Sequence, residues 1–450
     1  MIIPLVTTPY LSRVLGRENI GIYSYIASVT AYFTLFATFG FHTYGQRQIA
    51  YNQDNKEKNS EIFAEVMADK FIFTAIALLL YTGIVIFNKG EYRIFFTASG
   101  LLIVSTFFDL SWFFQGIENF KIIFIRSMVL KIGGLIFIFS FVRSKEDLAV
   151  YIFADSAANF LGNISVWPAV IKHLKGFRPK IPDLRPGLKI SAELFVPMIA
   201  IYIYSLADRT MLGLTGNKAE SGVYEQAHKI LRLLEMILVS LSTVLIPRIS
   251  FIYKNENINK VKDTIDKAYK FIIFLGMPIS FGLFAVADNM VPWFFGDGYE
   301  KVAVLLKMSS PIILVIGMAN IAGNAVLIPI EEHNKTTMAT MAGAAVNIVL
   351  NSVLIGVSFS TGAMTASIIA ETIVCVIEMF FARKYLFLKN ILKYIFAAAF
   401  ISAIMYMIIM LISRIVDISG IALTIVQVLS GAAVYGVLFL ILKNIRVIKK

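Results

Sequence analysis

The chain has 450 residues, of which 58% are hydrophobic and only 16% charged, with a mean hydropathy of +0.76 and a formal net charge of +12. A soluble domain carries about a quarter charged residues, and one soluble core could not hide this much apolar surface, so a water-soluble globular protein is excluded. A single cysteine, Cys375, rules out an intrachain disulfide, and His42, His173, His228 and His333 are scattered without metal-ligand spacing.

Apolar runs of about 20 residues, enough to cross ~30 Å of hydrocarbon, recur along the whole chain. Hydropathy and polar breaks predict spans at 1–12, 20–41, 70–88, 94–115, 121–142, 147–170, 187–212, 224–247, 270–295, 301–329, 336–357, 362–382, 391–413 and 418–441. The fold class expected is an all-α, polytopic membrane protein of about fourteen transmembrane helices. The first run is too short to span and reads as the second half of a helix. It lacks the basic start and small-residue cleavage site of a secretory signal. No soluble domain interrupts the spans, and the polar connections 42–69 and 248–269 are expected to be short helices.

Basic residues favour one set of connections. Lys56, Lys58, Lys172, Lys175, Arg178 and Lys180 lie on the same side as Arg248, Lys254, Lys260, Lys262, Arg383 and Lys384, with the tail's Lys443, Arg446, Lys449 and Lys450. The opposite connections hold chiefly Arg13, Arg17, Lys89, Arg143, Lys145, Lys218 and Lys301. An excess of Lys and Arg marks the cytoplasmic side, so both termini are expected there. The charge of +12 then reflects topology and anionic lipid, and no nucleic-acid partner is implied.

An internal repeat runs through the chain. Arg13-Val14-Leu15-Gly16 leads to Gly21-Ile22-Tyr23, and Arg209-Thr210-Met211-Leu212-Gly213 leads to Gly222-Val223-Tyr224. Tyr23 to Arg47 and Tyr224 to Arg248 are equal separations, Lys70-Phe71-Ile72 is echoed by Lys270-Phe271-Ile272, and Ala154-Asp155-Ser156 by Ala370-Glu371-Thr372. Six spans per unit is even, so both units share an orientation, the parallel-repeat plan in which a transporter's substrate site lies between the lobes. The expected division is 1–180 and 181–388 for the two six-helix lobes, with 389–450 forming two additional helices and a basic tail.

Three stretches resemble the Wzx-type polysaccharide (O-antigen and teichoic-acid) flippases of the multidrug/oligosaccharidyl-lipid/polysaccharide exporter superfamily. They are Thr8 to Gly16 with Gly21-Ile22-Tyr23 and Thr43 to Ala50; Asp109-Leu110-Ser111-Trp112-Phe113-Phe114-Gln115-Gly116 with Arg126 and Lys131; and Asp208 to Gly213 with Gly222 to Ala227 and Pro247-Arg248. Leu327-Ile328-Pro329 and Gly343 to Asn347 add weaker echoes. The resemblance covers nearly the whole chain, and its Asp-x-x-Trp-Phe-Phe-Gln-Gly element is the most specific part. Family members usually carry one or two dozen more residues before the Pro-Tyr-Leu-Ser-Arg element, in agreement with the short first run.

The resemblance implies a V-shaped, MATE-like arrangement of lobes in a bacterial inner membrane, with no cofactor and no catalytic residue. It implies a flippase that moves undecaprenyl-diphosphate-linked oligosaccharide units from the cytoplasmic to the outer leaflet by alternating access. Its partners would be the polyprenyl-diphosphate-linked glycan, membrane lipid, a polysaccharide polymerase and a chain-length regulator. A cation-coupled multidrug exporter is the alternative within the superfamily, and a membrane glycan polymerase or ligase the alternative from another class. Short external connections disfavour the latter, and buried Lys and Arg disfavour an acidic, cation-binding drug cavity.

Charges inside spans carry the site reading, because each costs about 2.5–3.5 kcal/mol at mid-bilayer unless water or a partner meets it. Lys131 sits mid-span, Arg209 follows Asp208 at the end of the seventh span, and Glu225, Lys229, Arg232 and Glu235 follow helical spacing along one face of the eighth. Lys131, Arg209, Lys229 and Arg232, with Arg13, Arg47 and Arg248 at the span ends, are the candidates for holding a diphosphate, against the plain reading of salt bridges and positive-inside anchors. Asp155 and Glu371, deep and repeat-related, are the candidates for ion coupling, and structural hydrogen bonding is their plain reading. Asp109, Trp112, Gln115, Gly116, Asp208 and Glu225 are expected to be structural, with Trp112, Trp167 and Trp293 fitting interfacial belts.

The charge bias makes a topological prediction. Cysteines placed by Lys218→Cys and Asn257→Cys should label from opposite sides of intact cells, with position 218 external; labelling of both from one side would overturn the span assignment.

Overall fold

Hydrocarbon offers the backbone no hydrogen-bond partner, so a chain this apolar must satisfy its amides within helices. The computed structural model describes residues 2–88, 90–174 and 185–444. The ordered elements there are helical: α1 Ile2–Thr38, α2 Phe41–Tyr51, α3 Lys56–Phe87, α4 Glu91–Phe108, α5 Ser111–Gly116, α6 Phe120–Phe141, α7 Leu148–Ser165, α8 Trp167–Ile171 and α9 Arg185–Leu214. They continue with α10 Lys218–Asn255, α11 Ile258–Phe295, α12 Glu300–Ser309, α13 Ile312–Asn320, a π-helical turn Ile321–Leu327, α14 His333–Ser358, α15 Ser360–Ala382, α16 Leu388–Ile415 and α17 Gly420–Asn444. The basic residues Lys89, Lys175, Arg178, Lys180, Arg446, Lys449 and Lys450, and the boundary expected at 180/181, lie outside the described residues.

Among the described residues, ten helices are long and apolar enough to cross a membrane, and the pair α12 and α13, bent by 44°, makes an eleventh. The predicted count of fourteen differs for local reasons. The runs 1–12 and 20–41 meet in α1 across Gly16, whose φ of 75° and ψ of 167° only glycine adopts readily. Tyr10 donates to the Val142 carbonyl at 2.7 Å and Asn19 to the Lys145 carbonyl at 2.7 Å, so the loop after α6 braces this turn. In α7, Asp155, Asn159 and Asn163 dilute the apolar run. The polar connections expected to be helical form α2, the start of α3, the end of α10 and the start of α11. Asn55 and Asn257 cap the starts of α3 and α11 by accepting from backbone amides.

The chain divides into two units at Leu214 and Thr215. In the first, α1 packs against α3, α4 and α9 around Leu11, Leu15, Ile26, Tyr81 and Phe96. Buried Thr30, Tyr81 and Ser99 hydroxyls bond one another there at 2.7–3.1 Å. The helix α9, which the repeat assigns to the second lobe, packs on α1. A Cβ on Gly213 would fall 2.1 Å from the Tyr25 ring, and Thr210 donates to Ser28 at 3.0 Å.

In the second unit, α11 is the post against which α12, α13, α16 and α17 pack. The two helices beyond the repeat are latched to it by polar contacts: Asp266 accepts from Asn390 and Tyr394, and Asn289 and Trp293 both donate to Thr424. The α14–α15 pair closes through Gly343, where a Cβ would strike Val374. Tyr23 meets Tyr151 of α7 with ring centroids 5.0 Å apart, and Tyr224 meets Ser367 of α15 at 3.2 Å.

The Gly213–Tyr25 contact is testable. Gly213→Val should destabilise the protein by about 1–3 kcal/mol through overpacking, read as a lower unfolding midpoint in detergent, with partial recovery in the Gly213→Val/Tyr25→Ala double variant. An unchanged midpoint for Gly213→Val would contradict the close approach.

Candidate functional site

The most specific sequence element, Asp109 to Gly116, is a break in a membrane helix. The helix α4 ends at Phe108, Asp109 is extended, and α5 restarts at Ser111. Such a break frees backbone groups that need partners inside the membrane. Lys70, only 2% exposed within α3, donates to the Asp109 carbonyl at 2.7 Å. The Asp109 carboxylate accepts from the Ser111 amide at 3.0 Å and pairs with Arg126 at 3.4 Å. Arg126 also donates to Asn163 at 3.1 Å and to Ser111 at 3.0 Å, and Asn163 donates to Ser105 of α4. The network thus ties α3, α4, α5, α6 and α7 together at the break.

Trp112 is fully buried, which corrects its expected place in an interfacial belt. Its ring stacks on Phe63 with centroids 5.9 Å apart, and a Cβ on Gly45 would fall 2.5 Å from it. Gly116 lies against Ile49, its carbonyl accepts from Gln53 at 2.9 Å, and Gln115 is half-buried. Trp167 and Trp293 are also engaged, donating to the Phe108 carbonyl and to Thr424 respectively.

The candidate cations are spread over both units. Lys131 is exposed in the middle of α6, a helix in which no side chain is buried, and its ammonium has no hydrogen-bond or ion-pair partner among the described residues. In the same unit Arg13 and Arg47 are exposed, Asp208 is buried and Arg209 half-buried. In the second unit the charged face of α10 runs from buried to open: Glu225 is buried, Lys229 pairs with it at 3.9 Å, Glu235 is half-buried, and Arg232 and Arg248 are exposed. Tyr224 stacks on His228 at the buried end, with centroids 5.8 Å apart.

Of the ion-coupling candidates, Asp155 of α7 is half-buried with no partner for its carboxylate among the described residues, and Glu371 of α15 is half-buried. They belong to different units. Three residues escaped the sequence reading. Lys70 and Arg126 look like loop cations when spans are drawn from 70 and 121, yet α3 begins at Lys56 and α6 at Phe120, so both act inside helices. The apolar run Ile62–Phe63 before Asp69-Lys70 was the available signal. Glu378, 4% exposed on α15, sits one helical turn past Val374–Cys375 in an otherwise apolar stretch.

The polysaccharide biosynthesis protein family matches residues 1–253, more than half of the chain. The chain belongs to this family. A protein of Escherichia coli (strain K12) named "Putative O-antigen transporter" is 26% identical over 393 residues, which cover 85% of this chain and 93% of that protein. A protein of the same name from Shigella dysenteriae is 22% identical over 85% of this chain and 96% of its own length. Among solved structures, the inward closed conformation of the lipid II flippase MurJ is similar over 99% of this chain and 97% of its own, with a TM-score of 0.80 at 18% identity. An outward-facing multidrug resistance MATE family transporter of the MOP superfamily is similar over 85% of this chain and 93% of its own, with a TM-score of 0.55 at 13% identity. The fold of this family member is therefore the all-helical membrane fold that those two structures share.

The network at the break gives a prediction. Lys70→Ala should cost roughly 1–3 kcal/mol, because it leaves the Asp109 carbonyl at the break without its donor. Lys58→Ala, which removes the exposed pair with Glu61, should cost about 0–1 kcal/mol in the same detergent unfolding measurement. Equal effects would remove the structural role of Lys70.

Proposed function

We propose that the chain is a flippase for polyprenyl-diphosphate-linked oligosaccharide, moving the glycan head group from the cytoplasmic to the outer leaflet of a bacterial inner membrane. The observation that carries this reading is Lys131, an exposed cation halfway along a membrane helix with no counter-charge among the described residues. The name of the Escherichia coli relative and family membership support the same substrate class.

The chemistry fits the cargo. A diphosphate needs cations, and arginine supplies forked hydrogen bonds where lysine supplies a point charge. Lys131 and Arg209 in one unit, and Lys229 and Arg232 in the other, offer both kinds at membrane depth. Arg13, Arg47 and Arg248 at helix ends are suited to gathering the head group. Glu225 pairs with Lys229 and orients it at the buried end of its stripe. The polyprenyl tail remains in lipid, so the protein need only shelter the polar part while the site opens alternately to each face. Moving about two negative charges outward through ~100 mV gains roughly 5 kcal/mol, so the membrane potential can drive the step. Asp155 and Glu371 are the residues proposed to couple an ion to the cycle. The Lys and Arg bias favours cytoplasmic termini. A polymerase and a chain-length regulator acting on the exported units would be the functional partners.

Lys131→Ala and Arg232→Ala should each abolish transfer of lipid-linked glycan in reconstituted vesicles while leaving folded yield nearly unchanged, and Lys131→Arg should restore part of it. Normal transfer by both alanine variants would overturn the cationic site. Export of organic cations in place of the glycan would instead establish the drug-exporter alternative.

A further inference from the structure

Glu378 is the buried acid that the foregoing account leaves without a task. It lies on α15 with 4% exposure, and among the described residues it has neither a hydrogen-bond donor nor an ion-pair partner. Its carboxylate rests on Gly323: a Cβ there would fall 2.4 and 2.9 Å from its two oxygens, so any larger residue would displace the carboxylate from this position. Gly323 belongs to the π-helical turn Ile321–Leu327, closed by Ile328 donating to the Gly323 carbonyl at 3.1 Å and Glu332 to the Leu327 carbonyl at 2.9 Å. Wide turns of this kind are rare overall and are frequent at functional sites. This one ends the span bent by 44° between α12 and α13.

The groups that face Glu378 supply no cation. On its own helix stand Glu371 and Cys375. From α11 comes Tyr269, whose hydroxyl donates to the Met318 carbonyl at 3.2 Å. Glu371 in turn neighbours Glu235 of α10, which also feels Arg232. Asn320 and Asn324 of the bent span bond each other, and Lys335 of α14 is ion-paired with Glu332 at 2.8 Å. Among the described residues, no three His, Cys, Asp or Glu side chains come together to hold a metal ion. A carboxylate enclosed in this way, with other carboxylates as its charged neighbours, cannot remain as a bare anion in hydrocarbon.

We propose that Glu378 is a proton-carrying site of this transporter, loaded and unloaded through the half-buried Glu371 and Glu235 as the π-turn beside Gly323 opens and closes. The proton moves from water to a Glu378 oxygen and returns to water, with no other bond made or broken. The site deepens the proposed transport function by naming the coupled ion and adding a residue that the repeat did not reveal.

Infrared difference spectroscopy on the purified, membrane-reconstituted protein tests this directly. The wild type should show the carbonyl stretch of a protonated, weakly hydrogen-bonded carboxylic acid that disappears as pH is raised. Glu378→Gln should lose that band with an unchanged unfolding midpoint, and Glu378→Asp should keep it at a shifted position. If Glu378→Gln does not fold, the shift in Glu378→Asp decides the assignment. Persistence of the same band in Glu378→Gln, no shift in Glu378→Asp, or loss of the band on adding sodium at fixed pH would overturn the proton site. The readout needs no glycan. A titrating band in a protein that moves no lipid-linked glycan leaves the proton site standing and removes the flippase reading.

Discussion

Everything in this chain depends on the absence of water to bond with inside a membrane. A polar group in a span must find a partner, reach water, or stay neutral, because the penalty for an uncompensated charge is comparable to a large fraction of a protein's whole stability. The break at Asp109 shows the first solution. An interrupted helix frees a carbonyl, Lys70 takes it, and Arg126 neutralises the carboxylate, so each member holds the next in place. The two helices beyond the repeat show it again, since Asp266 and Thr424 anchor them to α11 through neutral donors.

Against that background three groups are the proposed functional ones. Lys131 has no partner on a helix that buries nothing, Arg232 lies at the open end of a charged stripe, and Glu378 is enclosed without a cation. The two basic groups make sense if an anionic cargo and its water visit them. The acid makes sense if a proton does. An anion moving outward along the potential and a proton cycling on one carboxylate are compatible duties for separate parts of one transporter.

Much of this was legible in the sequence. Apolar runs and polar breaks placed nearly every helix, and the tyrosines of the two proposed repeat elements are packed, Tyr23 against Tyr151 and Tyr224 against Ser367. The i to i+4 spacing of Glu225 and Lys229 is an ion pair at 3.9 Å in the structure. What escaped was whatever depends on depth. Lys70 looks like a loop residue until α3 is seen to start fourteen positions earlier, at Lys56. Trp112 has the residue type and position of an interfacial anchor, yet Gly45 opens a slot that swallows it. Glu378 lacked a repeat partner, and no sequence pattern announces that Gly323 across the fold leaves room for a carboxylate.

The central claim is that the cargo is an anionic lipid-linked glycan driven by charge. Its most direct measurement is leaflet-resolved transfer of a polyprenyl-diphosphate-linked oligosaccharide in proteoliposomes, followed by access of an added lectin, with and without an imposed membrane potential. The account predicts protein-dependent transfer that speeds up when the loaded side is negative and slows when the potential is collapsed. Protein-dependent transfer that is indifferent to the potential, or no transfer at all by folded protein, would contradict it.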